Sequence, residues 1–497
     1  MISTKKPKRR ANTYGIPMET IIALLSDYVT GLLKAQETFI ENLDSFPELE
    51  QTVVELSNRM AAGFLGACLT TADALICESG RSRKALTVQR HRTRTLVSSV
   101  GDITFTHTLY KDSDGHIRCL LDEAIKLPDR ERFTTVAEAK ILSEAEVHSY
   151  QHAAESIHSG SQTITKVTVM NKIHAIEKEL HEPDPIPEVK KQVRYLYVEA
   201  DEDHIHRQKD GENNGCFIGK LVYLFEGKEE VFKGRRKLVS PHFFGGIYNG
   251  TDSNTELWKS VEDYIESHYD TDYLTRVYIS GDGGSWIKAA TDHIIKSKAV
   301  IDRFHLMKYI YRVSGYTKDD RDETVGRFYK YIYKDNLLAA KKLLTRIQSH
   351  CDGSDNAVEE CRSFLMNNWA EIQTAFHDKH VIGCSAEGHV SSLYSERMSS
   401  RPMGWSETGT DRMCRLRCYV GNYGRGKIMD LVRYRREREL NALEATGTDG
   451  MIDANAKPHL TPQQRSSKAY IERLQATIDQ NTTVYKILAI REQISLL

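Results

Sequence analysis

Hydrophobic and polar positions divide the chain into blocks of different period. From residue 17 to about 77 apolar residues recur at helical spacing, as in Ile21, Leu24, Leu25 and Tyr28. Residues 102–121, DITFTHTLYKDSDGHIRCLL, alternate instead and predict a hairpin with an Asp-Gly turn at Asp114-Gly115. DSDG also opens calcium loops, but the remaining ligand positions of such a loop are missing, so the turn reading holds. Helical spacing returns over 133–180 with a break at Ser159-Gly160-Ser161. SYQHAAESIHSG and SQTITKVTVMNKIHAI predict a helix-turn-helix. Val169, Ile173 and Ile176 share one face of its second helix. Lys166, Thr168, Asn171 and Lys172 are left outward, residue types suited to phosphates and base edges. Any helical hairpin can present the same pattern.

EPDPIPEVKK places Pro183, Pro185 and Pro187 at every second residue, which predicts a stiff linker and a domain boundary over 182–192. Strand patterns follow at 193–201, 220–227 and 236–246, then a helix at about 254–268 and the strand RVYISGD. A second helix, SWIKAATDHIIKS, and the strand KAVIDRF complete the run. Three antiparallel-looking strands followed by alternating helix and strand is the order of a ribonuclease-H-like α/β domain. Residues 305–380, including FYKYIYKDNLLAAKKLLTRI, interrupt it as a helical insertion. The expected molecule is multi-domain and mainly α, with an α/β catalytic domain at 193–304 and 381–440. A helical region (1–95), a hairpin with the helix-turn-helix (96–181) and a helical tail (441–497) surround it.

With 497 residues the chain exceeds one core, and its composition, 40% hydrophobic and 28% charged, is that of a soluble globular protein. A formal net charge of −1 gives no bulk argument for nucleic acid, but the basic residues are clustered. KKPKRR fills 5–10, RSRK and RHRTR lie between Arg81 and Arg94, and RMCRLR and VRYRRERE lie within 412–439. Such clusters form either a basic track, with Arg90, Arg92 and Arg94 as DNA contacts, or solvated helix faces. Nine cysteines without a C-x-x-C pair predict reduced thiols in a cytoplasmic protein and no zinc site. The apolar run Met60–Cys77 contains Asp73 and two threonines, so a buried helix is expected there rather than a membrane span.

The carboxylates carry the chemistry. On the first strand Leu196, Val198 and Ala200 share an apolar face, while Glu199, Asp201 and Asp203 share the other with Tyr195 and Tyr197. Three acids on one partly covered face call for a cation; Asp201 is the first choice of ligand and Asp203 the alternate. Asp282, in YISGDGGSWI, ends another strand among glycines that leave room for close approach. GDGG lacks the spacing and lysine of a phosphate-binding P-loop. Beyond the insertion, Glu387 and Glu396 are nine residues apart on one helix and point to opposite faces. Glu387 is the choice, since Glu396 beside Arg397 suits a surface ion pair. Two aspartates and a glutamate are hard oxygen ligands that suit Mg²⁺ or Mn²⁺.

In order, EADEDH, ISGDGGSWI, VIDRFHLMKY, AEGHV and RMSSRPMGWS resemble the DDE transposases of a bacterial insertion-sequence group long catalogued as uncharacterised proteins. The resemblance runs from about Arg94 to about Arg435 and includes RTLVSSVGDITFTHTLYKD and LLDEA. It implies cleavage at inverted-repeat ends and joining of the 3′-OH to target DNA, with two divalent ions as cofactor. Asp201, Asp282 and Glu387 are the implied catalytic and metal-binding set. Asp302 and His305 are implied to line the site or steer DNA, the alternative being a helix cap with a packed ring. Trp405 is placed either to stack on a displaced base or to be buried after its turn. The implied partners are double-stranded DNA and a second copy of the chain, in the nucleoid-associated cytoplasm and without a membrane. A nuclease of the same fold and an inactive transposase-derived DNA-binding protein are the competing expectations.

Overall fold

The computed structural model describes residues 15–78, 86–113, 115–157, 163–181, 184–208 and 215–445. KKPKRR, RSRK, the Ser159–Ser161 break, Asp114, Pro183 and the tail beyond 445 lie outside the described residues. The chain divides into two compact units.

The first unit comprises Met1–Ala137, Ile157–Thr163 and Arg436–Leu497. It begins with helices α1 (Met18–Glu41) and α2 (Phe46–Glu78), followed by strands β1 (Thr87–Ser98), β2 (Gly101–Lys111) and β3 (Ile117–Arg118) and helix α3 (Leu120–Ala124). The sheet order is β1-β2-β3. Its main hairpin turns at Ser98–Gly101, where Ser98 Oγ donates to Gly101 O at 2.6 Å. The expected Asp-Gly turn exists only as a link to the two-residue β3. β1 was not expected, and a boundary at residue 95 falls inside it. Its sequence, TVQRHRTRTLVS, is polar at nearly every position, because only Leu96, Val97 and Ser98 are buried. Such a strand shows no alternation to read.

By length and composition the helical stretch Leu43–Glu78 is apolar enough to cross a membrane. It is not the buried helix expected there, for only Leu56, Ala62, Gly66 and Asp73 of α2 are buried. That face lies on β2, where Asp73 accepts from Thr108 N at 3.0 Å and Thr108 Oγ1 at 2.6 Å. A stripe along α1, including Met18, Ile22, Leu25, Val29 and Leu33, is exposed.

The second unit comprises Glu138–Ser156 and Ile164–Arg435. Helices α4 (Thr135–Val147), α5 (Tyr150–Glu155) and α6 (Lys166–His174) precede strands β4 (Tyr195–His206), β5 (Cys216–Phe225), β6 (Gly227–Phe232), β7 (Arg235–Val239) and β8 (His242–Ile247). Then come α7 (Gly250–His268), β9 (Arg276–Gly281), α8 (Ser285–Lys288) and β10 (Ser297–Ile301). The helical insertion is α9 (Arg303–Ser314), α10 (Arg321–Tyr333), α11 (Leu337–His350), α12 (Asp355–Asn367) and α13 (Trp369–His377). Helices α14 (Ala386–Val390), α15 (Glu396–Met398), α16 (Glu407–Tyr423) and α17 (Ile428–Ala445) follow.

The fold is mixed α/β. Its five-stranded sheet has the order β10-β9-β4-β5-β8, with β4, β5 and β8 antiparallel and β9 and β10 parallel to β4. β6 and β7 form a separate hairpin. Alternation on β4 sorts its two faces. Leu196, Val198 and Ala200 pack with Leu257, Trp258, Val261 and Ile265 of α7. Tyr195 and Tyr197 pack with the core built by Leu306, Ile310, Phe328 and Leu344 of the insertion. The sheet therefore carries a helical layer on each side. The second expected helix shrinks to α8 and a 3-10 turn at Ala289–Asp292. The Trp286 carbonyl there accepts from Trp258 Nε1 at 2.8 Å, which competes with a continued helical ladder.

The proline segment does not separate compact units: residues on both sides of it belong to the second. α6 is tied to the body by Lys172 Nζ, 3.2 Å from Glu138 Oε1, and by His174 Nε2, 3.3 Å from Ser406 Oγ. The division falls instead within α4 and α17.

Candidate acid cluster and metal centre

In the parallel β4–β9 ladder Glu199 pairs with Ser280, so Asp201 and Asp282, each two residues further on, come level just past the ladder. Asp282 follows the last residue of β9, whereas Asp201 lies in the middle of β4, which runs on beyond the end expected at residue 201. Glu387 arrives on the first turn of α14. Asp201 is 8% exposed, and burial pushes its carboxyl up to about 6. A backbone bond from Glu202 and the charge of His305 oppose that rise, while Glu387 and Asp282 add to it. His305 in turn is raised first by its hydrogen bond to Asp302, against burial, and then by Asp201 and Asp282. Five sequence-predicted residues thus form one electrostatic cluster.

The acids of β4 have different fates. Glu199 is fully partnered: Lys228 Nζ lies at 2.8 Å, Ser385 N and Oγ donate at 2.7 and 2.9 Å, and Tyr223 OH also donates. Asp203 accepts from Ser399 Oγ at 2.8 Å. Asp201 Oδ1 takes only the Glu202 N–H at 2.9 Å, and Asp282 Oδ1 only the Gly284 N–H at 2.8 Å. Among the described residues, the second oxygens of both aspartates and the whole Glu387 carboxylate have no hydrogen bond or ion pair. Asp201 is the buried member, Asp282 is half-buried and Glu387 is exposed, so the cost of an uncompensated buried charge, which a cation relieves, falls mainly on Asp201. The three carboxylates are not among the groups whose ligand atoms all lie within 4.8 Å of one another. Their oxygens are therefore spread more widely than those compact groups.

The glycines beside Asp282 serve the protein's own packing. A Cβ on Gly281 would meet Ala200 O at 2.9 Å. Gly283 has φ +93°, and a Cβ there would lie 2.4 Å from Asn368 Oδ1. Asp302 is the N-cap of α9, accepting from Phe304 N at 2.9 Å, and its other oxygen lies 3.2 Å from His305 Nδ1. Cap and cluster member are therefore the same residue.

Sequence reading missed the supports of Glu387. Glu199, Lys228 and Ser385 join β4 and β6 to the residue preceding α14 and fix where that helix starts. A five-residue π-helical turn, Ser391–Ser395, follows α14, so the simple 100° count from Glu387 to Glu396 does not apply. Glu396 is exposed, but its expected partner Arg397 is buried and donates to Ala145 O at 3.0 Å. Trp405 is buried, donates to Met398 O at 3.1 Å and is covered by Arg397 and Tyr150. It is not free to stack on a base.

The expected DNA contacts divide as well. Val169 and Ile173 are buried and Lys166 and Asn171 exposed, as the helical period requires, and Thr168 N donates to the cap Thr165 at 3.3 Å. Lys172 turns inward to Glu138. Arg90 and Arg92 are exposed on β1, whereas Arg94 pairs with Asp122 and donates to Glu131 O. Most of the cluster at 412–439 is tied up in buried ion pairs, while Arg425 and Arg433 stay exposed. Arg412 and Arg415 pair with Asp411, Arg417 with Glu146, and Arg435 with Glu138.

Comparison with known proteins places the chain by sequence. It is 30% identical to a UPF0236 protein of Caldanaerobacter subterraneus subsp. tengcongensis, over 93% of this chain and 95% of the relative. A second protein of that organism is 30% identical over 89% of this chain and 90% of its own length. Among solved structures, the Drosophila P element transposase strand transfer complex aligns with 11% identity and a TM-score of 0.21, covering 68% of this chain and 91% of that one. The model of the uncharacterised protein family UPF0236 matches residues 39–435. The chain therefore belongs to the UPF0236 family.

Proposed function

We propose that this protein is a DDE-type DNA transposase with a ribonuclease-H-like catalytic domain, working as a dimer or larger on double-stranded DNA. The observation that carries the reading is the cluster where β4 runs past the end of β9. Three acids from positions 81 and 105 residues apart come together with unused oxygens and no lysine or arginine ion pair. Asp201, Asp282 and Glu387 would hold two Mg²⁺ or Mn²⁺ ions, for which their hard oxygen atoms and unrelieved repulsion are suited. When bound, such ions lower the pKa of an attacking water or hydroxyl and stabilise the leaving oxygen of a phosphodiester. The chain's own part is orientation. Backbone N–H groups of Glu202 and Gly284 hold one oxygen of each aspartate and leave the other directed elsewhere. Asp302 steadies His305 beside them through its Nδ1, a contact that raises the imidazole above its ordinary value. Exposed Lys166, Asn171, Arg90 and Arg92 remain as contacts to phosphates.

The relatives add independent support. One bears a name that joins eleven locus designations of a single genome, and another a name that joins four. Many copies of one protein in one genome is what a mobile element leaves behind. The test uses a labelled, pre-cleaved inverted-repeat end taken from DNA flanking the gene, incubated with purified protein, Mg²⁺ and a target plasmid. Joined product that disappears with a chelator supports a transposase. Hydrolysis without joining makes the protein a nuclease, and binding without either makes it an inactive derivative.

A further inference from the structure

The first unit contains a second cluster that the acid chemistry does not use. His107 lies on β2, Cys119 immediately precedes α3, and Asp122 is in the first turn of α3. The His107 side chain is 3% exposed; its Nδ1 is 3.0 Å from Cys119 Sγ and 3.5 Å from Asp122 Oδ1. All three ligand atoms lie within 4.8 Å of one another. Zinc bonds of about 2.3 Å to sulfur and about 2.0–2.2 Å to nitrogen or oxygen give tetrahedral edges of roughly 3–4 Å. The two separations from His107 Nδ1 are of that size.

Without a cation, the one Cys119 thiol proton has to serve both His107 Nδ1 and the Asp122 carboxylate. Nδ1 offers either one lone pair or one proton, yet it faces a thiol and a carboxylate together. Asp122 Oδ2 is taken by Arg94, while Oδ1 is buried without a hydrogen-bond partner among the described residues. His107 Nε2, across the ring, is also unpartnered. We propose that His107, Cys119 and Asp122 bind one Zn²⁺ ion, with a fourth position open to water, pinning α3 to β2. Thiolate and imidazole select a softer ion than the oxygen ligands of the acid cluster do. Arg94 orients the carboxylate by holding its other oxygen, the usual role of a residue behind a metal ligand. The other compact group, Glu144, His148 and His152, is more exposed and has no such orphaned oxygen.

The test is Co²⁺ titration of the full-length, chelator-stripped protein. One equivalent is expected to produce the near-ultraviolet thiolate-to-cobalt band and the visible bands of tetrahedral Co²⁺, both removed by one equivalent of Zn²⁺. Cys119→Ser is expected to abolish the thiolate band and His107→Phe to weaken Co²⁺ binding at least tenfold, each with an unchanged far-ultraviolet spectrum. Asp282→Asn is expected to leave the band intact, which separates this site from the acid cluster. A wild-type protein without the band, or a band that persists in Cys119→Ser, overturns the proposal.

Discussion

Single residues show most clearly where charge has been left uncompensated and where it has been suppressed. His242 on β8 is the suppressed case. Its ring stacks on Tyr264 at 4.0 Å and lies 3.4 Å, through Nε2, from Asn422 Nδ2. Burial lowers it to about 4, with Asp184 opposing and His268 and His181 assisting. Above pH 6.5 the ring is neutral in folded and unfolded chains alike. Between about 6.5 and 4 only the unfolded chain binds the proton, so stability falls through that window and levels off below it. The loss is about 3 kcal/mol. Urea midpoints at pH 7.5 and 4.5 are expected to differ less in His242→Phe than in wild type; an equal difference removes His242 from the account. Asp282 was legible because it ends a strand and Asp201 because it shares a period-two face with other acids, although β4 runs on past it. Lys228 was not, since nothing in GKEEVF announces that its amine reaches Glu199. Neither was the His107, Cys119 and Asp122 group, whose members come together only when α3 folds onto β2.

At the scale of elements, buried ion pairs tie together segments that the sequence keeps far apart. Glu138 of α4 is 0% exposed and is shared by Lys172 of α6 and Arg435 of α17, at 3.2 and 2.6 Å. Removing the acid leaves two cations in a buried site. Glu138→Ala is expected to cost about 3–5 kcal/mol. Thermal unfolding checks it, and a midpoint within a degree of wild type contradicts it. These pairs explain why the arginine-rich stretch after residue 412 could be read only as a basic track or a solvated face: Glu138 and Glu146, the partners of Arg435 and Arg417, lie more than 250 residues earlier. Strands β4, β5 and β9 were readable because each is a β-branched or aromatic run with one clear burial pattern. β1 was not, because its outer two-thirds is exposed on both faces.

For the whole molecule, the sequence showed the insertion between β10 and α14 but misplaced the boundary between compact units. Three alternate prolines mark an extended segment, yet extension alone does not decide whether the flanking elements pack together. Met18, Ile22, Leu25, Val29 and Leu33 are exposed along α1 at spacings of four, three, four and four, the pattern of a helix–helix seam. The dimer proposed above for a reaction on two DNA ends would need a surface between copies, and we propose this stripe for it. Sedimentation is expected to show a dimer or larger species that Leu25→Glu with Val29→Glu reduces towards monomer. An unchanged mass in the double variant excludes α1 from assembly.

The central claim is that Asp201, Asp282 and Glu387, and not their acidic neighbours, carry metal-dependent DNA cleavage. The most direct measurement neutralises five acids one at a time and follows cleavage of a labelled repeat end in Mg²⁺, with DNA binding measured in parallel. Asp201→Asn, Asp282→Asn and Glu387→Gln are expected to lose at least about a hundredfold in rate while still binding DNA, about 2.7 kcal/mol at the barrier. Asp203→Asn and Glu396→Gln are expected to remain within a few-fold of wild type. Retained cleavage in any of the first three, or loss in either of the last two, contradicts the account.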